Sequence, residues 1–499
     1  MTGPRGPAPS TKRLQHIQSA RAHEEAGRPA EALAEAWQAF DLAPDDREAK
    51  GLLVHLLRLY PALAAADRYD DLARLLTDAT VEPSVVAPAG WHLLLSQGGP
   101  MAGLAADTEK LARWAEADGL AQRLLEESPV PLLAAERALT RVRRWLLLSR
   151  EWPEFPRLVA ALAAQAAWNG GAWLVEPDEK ARLEAEPEAA IAAAYVPPPP
   201  APADKAAFDH PVTEAVAAQY ESWPYPPWSR ITARPPQTLP AAVAALDFGR
   251  PSPLPVAAEL LVAGCGTGRE AALWALRFPD ARITAIDLSE ASLAYARKRC
   301  RALGLERIDF RRLDLHRVAE LGKVFDLISC AGVLHHLADP EAGWTALATA
   351  LKPGGVMRVM VYSKVARLRV RAAQRHLADL QGRPVDADLL REARRRLIER
   401  APALLDSSVD FYTLAGIHDL LLHRHEDPFD VARIVRALDR LGLELLAFRL
   451  PTPQRRARYR QEHPGDPAFR DVAAWAALEK REPFLFRSMY DFWCRKPEA

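Results

Sequence analysis

An α/β sheet of the nucleotide-binding, Rossmann-like kind, preceded by an all-α helical domain, is the fold class this 499-residue sequence predicts. Three observations carry it. Leu260 to Ala263 is an apolar run that reads as a buried parallel strand, and it meets the alternating glycines Gly264, Gly266 and Gly268 before Arg269 opens an Ala/Leu-rich stretch. About twenty residues further on, Arg282 to Ile286 reads as a second strand and ends on Asp287, the spacing at which a carboxylate grips ribose hydroxyls. Upstream, from Leu14 to about Tyr195, the pattern is alanine-rich and helical, broken by prolines and glycines.

Composition narrows the class further. The chain is 49% hydrophobic, ample for buried cores in two or three domains, and 65 basic residues balance 65 acidic ones. Global charge therefore singles out no partner. The cysteines Cys265, Cys300, Cys330 and Cys494 are scattered, without a C-x-x-C pair or zinc spacing, as in a reducing compartment. No apolar run reaches the ~18 residues of a membrane span, and Met1 to Ser10 lacks the hydrophobic segment of a signal peptide. A cytoplasmic protein without membrane association is the expectation.

Residues 1–13 are expected to form a disordered tail, and 14–195 a helical domain. Within it Ala20, His23, Gly27, Ala32, Ala36, Ala39 and Pro44 fall close to the small, aromatic and terminal-proline positions of a tetratricopeptide repeat. Later runs, Leu52 to Tyr60, Tyr69 to Thr77 and Pro131 to Leu148, read as further helices but do not align to a strict period of about 34 residues. Stacked helix pairs expose a concave face suited to a protein or peptide; the alternative is a helical brace for the catalytic domain.

Residues 196–250 form the boundary. Val196-Pro197-Pro198-Pro199-Pro200-Ala201-Pro202 cannot continue a helix and predicts a stiff polyproline spacer. Gln219 to Trp228 follows, interleaving Tyr220, Trp223, Tyr225 and Trp228 with prolines into a rigid segment with large faces to bury. Two roles are open to this strap: covering the cofactor or acceptor entrance, with Tyr220 and Tyr225 on the substrate side, or plugging the domain's surface.

The catalytic domain spans 251–499. The glycines here read G-x-G-x-G, with Arg269 where a dinucleotide fold places its third glycine; an NAD site and a purely structural turn are the alternatives. Ser289 is the candidate cap of a helix to about Leu303. A third strand, Ile308 to Leu313, leads to Asp314-Leu315. A fourth, Phe325 to Cys330, leads to Ala331-Gly332-Val333-Leu334-His335-His336. Ligands of open α/β sheets sit beyond the carboxyl ends of the strands, so this loop should border the reacting centre, and His335 or His336 is the candidate proton carrier. Leu351-Lys352-Pro353-Gly354-Gly355 predicts a turn into a strand Val356 to Val361. A basic helical insertion at about 364–405, with Lys364, Arg367, Arg369, Arg371, Arg375, Arg391, Arg394, Arg395, Arg396 and Arg400, would steer an acidic partner or RNA, or simply be solvated. With no RNA-binding module beside it, nucleic acid is not the expected partner. A helix Val431 to Leu441, a strand Leu443 to Leu450 and a strand Phe484 to Arg495 complete the domain. His418, His423 and His425 lack the i, i+4 spacing of a helical zinc site, so no metal is expected.

The G-x-G-x-G turn, Asp287 and Leu-Lys-Pro-Gly-Gly together resemble the class I (seven-strand) S-adenosylmethionine-dependent methyltransferases. With the helical N-terminal region and the Tyr-Glu-x-x-Pro-Tyr-Pro strap, the chain from about Gln165 is similar to bacterial tetratricopeptide-repeat methyltransferase proteins. The resemblance implies S-adenosylmethionine as cofactor and a cofactor set of Gly264, Cys265, Gly266, Thr267, Gly268, Asp287, Leu288, Asp314, Leu315, Cys330 and Ala331. Asp314 would meet the adenine amine, or alternatively cap the short helix after it. Asp410 and Tyr412, in Ser407 to Tyr412, are the further substrate-side candidates. Trp223 and Pro227 replace an asparagine and an arginine of the family strap, and Val262 stands where many class I enzymes carry an acid. The activity so implied is methyl transfer to a protein or peptide, with a small molecule as the alternative acceptor and a non-catalytic binding adaptor as the alternative class.

Overall fold

The computed structural model describes residues 9–64, 66–96, 99–104, 106–196, 208, 210–232, 235–246, 254–402, 408–450, 453–466, 470–483, 485–486, 488–498. The predicted polyproline stretch after Val196, Ser407, Phe484 and the first eight residues of the expected tail lie outside the described residues. The chain divides into two compact units, each assembled from several segments. The first comprises residues 1–199, 227–233 and 373–420; the second comprises 200–226, 234–372 and 421–499.

The first unit is all helical in its described residues. Its opening helix is Pro9–Glu25, so the boundary expected at residue 13 moves to Pro9. Among the contacts that hold this helix in place, Arg13 pairs with Asp46, His16 meets Glu35 of the second helix, Pro29–Leu42, and Ile17 and Ala20 are buried. Ala32, Ala36 and Ala39 are fully buried, and Gly27 makes the tight turn in left-handed backbone. Proline opens several of the helices that follow, among them Pro83–Leu95, Pro156–Asn169 and Pro177–Ala185, while Asp46, Asp107 and Asp118 cap others. Frequent proline is therefore the punctuation of an alanine-rich helical chain rather than a sign of loops.

The insertion is where sequence and structure part. Residues 373–420 belong to the helical unit and not to the catalytic sheet, which corrects the boundary of an insertion at 364–405 within a continuous catalytic domain. A buried ion pair is among the contacts that tie it there. Arg394, on the helix Ala387–Arg400, is fully buried and grips Glu136, on the helix Leu133–Ser149, through two bonds of 2.6 and 2.5 Å. Its Nε donates to the Phe411 carbonyl at 2.9 Å. Several arginines read as a steering surface have acidic partners: Arg391 has Asp388, Arg395 has Glu392 and Glu399, and Arg396 has Asp379 and Glu392. Surface pairs of this kind add little stability.

The second unit holds a seven-stranded sheet in the order β3-β2-β1-β4-β5-β7-β6. The strands are β1 Glu259–Ala263, β2 Arg282–Asp287, β3 Asp309–Arg312, β4 Phe325–Ala331, β5 Leu351–Tyr362, β6 Glu444–Arg449 and β7 Met489–Arg495. The first five run parallel; β7 pairs antiparallel with both β5 and β6. The Lys-Pro-Gly-Gly turn is a bulge inside β5: Phe325 pairs with Leu351, but Leu327 already pairs with Val356. Residues buried along β1, β2 and β4 give way to partly open ones at Gly264, Asp287, Leu288, Ala331, Gly332 and Val333. The order reverses at β1 and β4, so this open rim is the topological switch point of the sheet.

Candidate functional site

Backbone geometry builds the site before any side chain contributes. Gly264, Gly266 and Gly268 all adopt positive φ, at 68°, 51° and 80°. A Cβ on Gly264 would stand 2.3 Å from Val333 in the loop after β4, and one on Gly268 would stand 2.5 Å from Cβ of Ala296. The first glycine thus lets the two loops of the switch point close on each other. The last lets the turn before the helix Arg269–Arg277 come close to Ala296 in the helix Glu290–Ala302. Cys265 N–H donates to the Ile286 carbonyl at 2.9 Å, stitching the turn to the end of β2.

Asp287 closes that end. One carboxylate oxygen accepts from Gly266 N–H at 2.7 Å, the other from Ser289 N–H at 3.0 Å. Burial pushes this carboxyl up from its ordinary value, while the backbone donors of Ser289, Gly266 and Leu288 pull the other way. The same carboxylate that the spacing assigns to ribose therefore also holds the glycine turn in shape. Leu288 is half-buried beside it, and Ser289 caps the helix by accepting from Ser292 N–H at 3.0 Å, as the sequence predicts.

At the end of β3 the capping reading of Asp314 meets the geometry. It caps the short helical turn Leu315–Leu321, accepting from His316 N–H, and it binds His316 Nδ1, both at 2.9 Å. The pairing holds its carboxyl below the usual range against the opposing effect of burial, and raises His316. Leu315 is buried; Cys330 is fully buried in β4, so its side chain lies in the core, whereas Ala331 is partly open at the rim.

The paired histidines divide sharply. His335 is fully buried; its Nδ1 accepts from Tyr362 N–H at 3.2 Å, which puts the proton on Nε2, an atom with no partner among the described residues. Its ring lies 3.9 Å from that of Tyr362. Burial pushes it well below the usual imidazole value, so it packs as a neutral ring under the loop. His336 donates from Nδ1 to the His425 carbonyl at 2.9 Å, which leaves Nε2 as a bare acceptor, and its ring stacks on His423 at 3.7 Å. Burial pushes it down to about 3. His423 in turn meets the Tyr220 hydroxyl at 3.2 Å, so Tyr220 of the strap joins this cluster. Tyr225 lies instead at the glycine turn, its carbonyl 3.1 Å from where a Gly266 Cβ would be. Asp410 and Tyr412 belong to the helical unit: Asp410 accepts from Ser408, and Tyr412 is buried with its ring edge-to-face on Phe411.

These neutral histidines carry a pH signature. A histidine whose folded value is depressed binds its proton only after unfolding, so stability falls as pH drops below about 6.5. His335 and His336, with the milder His92, act in this direction; His316, raised by Asp314, acts in the other. Between pH 6.5 and 5 we expect His336→Asn to lose less stability than the parent chain, by about 1 kcal/mol per pH unit in denaturant melts. Equal slopes would show that the ring is protonated in the fold.

Sequence reading did not single out an ion network beneath the glycine helix. Arg358 of β5 bonds Glu270 at 2.9 Å and Asp491 of β7 at 3.0 and 2.9 Å, and Ser329 donates to Glu270 at 3.0 Å. The one sequence signal is Glu270 itself, the acid directly after Gly-Arg in the turn motif.

One comparison with known proteins falls on this region. The family model described as a methyltransferase domain matches residues 261–357. An uncharacterized protein of Synechococcus sp. is 35% identical over 267 residues, covering 49% of this chain and 61% of that one. The ubiquinone biosynthesis O-methyltransferase of Stutzerimonas stutzeri is 40% identical over 93 residues, 18% of this chain and 39% of that protein. Among solved structures, PKMT2 from Rickettsia typhi in complex with AdoHcy aligns with 16% identity and a TM-score of 0.42, over 52% of this chain and 53% of that one. The chain thus spans less than two thirds of the length of these curated relatives. Among the described residues no helix is long and apolar enough to cross a membrane. With the 3-2-1-4-5-7-6 sheet, the glycine turn and Asp287 at its switch point, the second unit of this chain is a class I S-adenosylmethionine-dependent methyltransferase domain.

Proposed function

We propose that this chain transfers the methyl group of S-adenosylmethionine to a nucleophilic atom of a protein or peptide. The observation that carries the donor half is the glycine turn. Three positive-φ glycines let the turn close against the loop after β4 and the neighbouring helix, and Asp287 is anchored to Gly266 at 2.7 Å. The turn would take the donor's carboxylate-bearing end, Asp287 its ribose hydroxyls, Leu288 and Leu315 the faces of the adenine, and Asp314 its amine. When bound, the donor supplies an activated sulfonium methyl. The protein's task is then to align an acceptor with that methyl and to exclude water, for which a strong base is not required. Of the two histidines His336 keeps an unprotonated Nε2, but its burial makes it a weak base, and His335 is committed to the backbone of β5.

Support for a protein acceptor comes from chain organisation. The chain leaves β5 at Tyr362, on the rim that carries the donor residues, and runs into 373–420, which belong to the helical unit. Helix pairs of that kind present surfaces to peptides. The relatives named for ubiquinone biosynthesis and for trans-aconitate match only 93 and 109 residues, too little of this chain to carry their acceptors over to it. The test is to incubate purified protein and radiolabelled S-adenosylmethionine with a lysate of a strain lacking this chain. Label in polypeptide supports the reading, and label confined to small molecules replaces it with the small-molecule alternative. Absence of any S-adenosylhomocysteine binding by calorimetry would leave a binding adaptor.

A further inference from the structure

The strap helix Pro211–Ser222 carries an acid, Glu221, for which the methyl-transfer reading has so far had no use. Its carboxylate reaches the start of the helix Glu290–Ala302, where Oε1 accepts from Glu290 N–H and Oε2 from Ala291 N–H, both at 2.8 Å. With Ser289 taking Ser292 N–H, the first three N–H groups of that helix are satisfied by side chains. Arg312, at the end of β3, completes the arrangement. It donates to Glu221 at 3.0 Å and, through Nε, to the Leu288 carbonyl, also at 3.0 Å. Glu221 and Arg312 therefore clamp both sides of the segment Asp287-Leu288-Ser289.

The same strap reaches the other donor loop a few residues later. Thr267, fully buried, donates its hydroxyl to the Pro226 carbonyl at 2.6 Å, and the Tyr225 carbonyl faces Gly266. One short segment of chain thus hydrogen-bonds to the loop after β1 and to the loop after β2, the two between which the donor would lie. An aromatic strap that merely plugged the surface would not require a carboxylate aimed at two backbone amides beside Asp287.

We infer that Glu221 is a positioning residue for the methyl donor: held by Arg312, it fixes the Asp287-Leu288-Ser289 loop in the shape that receives ribose and adenine. This inference rests on the donor site proposed above. Glu221 touches neither acceptor nor methyl group in this scheme, so its loss should weaken donor binding and leave the chemical step intact.

The experiment is calorimetry with S-adenosylhomocysteine on the full chain, followed by steady-state kinetics. We expect Glu221→Gln to weaken binding about tenfold, through loss of charge-assisted bonds, and to raise the donor KM with kcat at saturating donor unchanged. Arg312→Gln should do the same, and the double variant should be no worse than either single one, because both act through one clamp. If Glu221→Gln does not fold, the Arg312→Gln variant carries the measurement. An unchanged affinity in folded variants, or additive losses, would overturn the inference while leaving the donor site standing. A parent chain that fails to bind S-adenosylhomocysteine would overturn the donor site, and the clamp with it.

Discussion

Replacing Arg394 with methionine is expected to destabilise the helical unit by about 3–5 kcal/mol, the largest single-residue effect predicted for this chain. The arginine is fully buried, and its partner Glu136 is 4% exposed, so neither charge has water to fall back on. Their two bonds, with a third to the Phe411 carbonyl, satisfy the guanidinium in a planar, bidentate geometry. Removing the cation strands a carboxylate in the interior, and that uncompensated charge dominates the cost. Pairing Arg394→Met with Glu136→Leu should recover most of the loss, since apolar replacements of a buried pair are often neutral. Denaturant melts followed by far-ultraviolet circular dichroism would check both. A single variant as stable as the parent would mean that water reaches the pair.

The second large effect concerns the donor. Asp287→Ala should weaken S-adenosylhomocysteine binding by about 1–3 kcal/mol from the direct bonds alone, between roughly fivefold and 150-fold. The structure adds a second source of loss, because the carboxylate also holds Gly266 and Ser289 by their N–H groups. Asp287→Asn should therefore bind better than the alanine variant, keeping an oxygen for one of those backbone donors while lacking the charge. Titration calorimetry on both variants separates the two contributions. Equal affinities for parent and alanine variant would remove the acid from the site.

Legibility followed the range of the interactions. The central strands could be read because burial on both faces leaves continuous apolar runs, as in Leu260 to Ala263 and Asp326 to Cys330, whose side chains are almost all below 10% exposed. The helix Val431–Leu441 could be read because its apolar positions repeat at helical spacing between Asp430 and Gly442, a cap at each end. Strand boundaries were less legible: β3 is only Asp309–Arg312, and β7 begins at Met489. The ownership of the insertion was not legible at all. Arg394 and Glu136 are separated by 258 residues, and nothing local distinguishes a buried arginine from its solvated neighbours on the same helix. Glu221 lay in plain view inside the strap motif, but its partners, two backbone amides and Arg312, become neighbours only once the sheet has formed.

The interleaving of segments has a consequence for how this protein can be made. The chain passes between its two units five times, after residues 199, 226, 233, 372 and 420. No single cut, including one at the proline run, releases either unit whole; a fragment starting there would carry 373–420 with Arg394 stripped of its anion. During synthesis the amino-terminal helices leave the ribosome first, yet their last companions arrive only with Leu420. Most of the catalytic sheet must therefore be threaded out before the opening helices are complete, and the two units mature late and together rather than in turn.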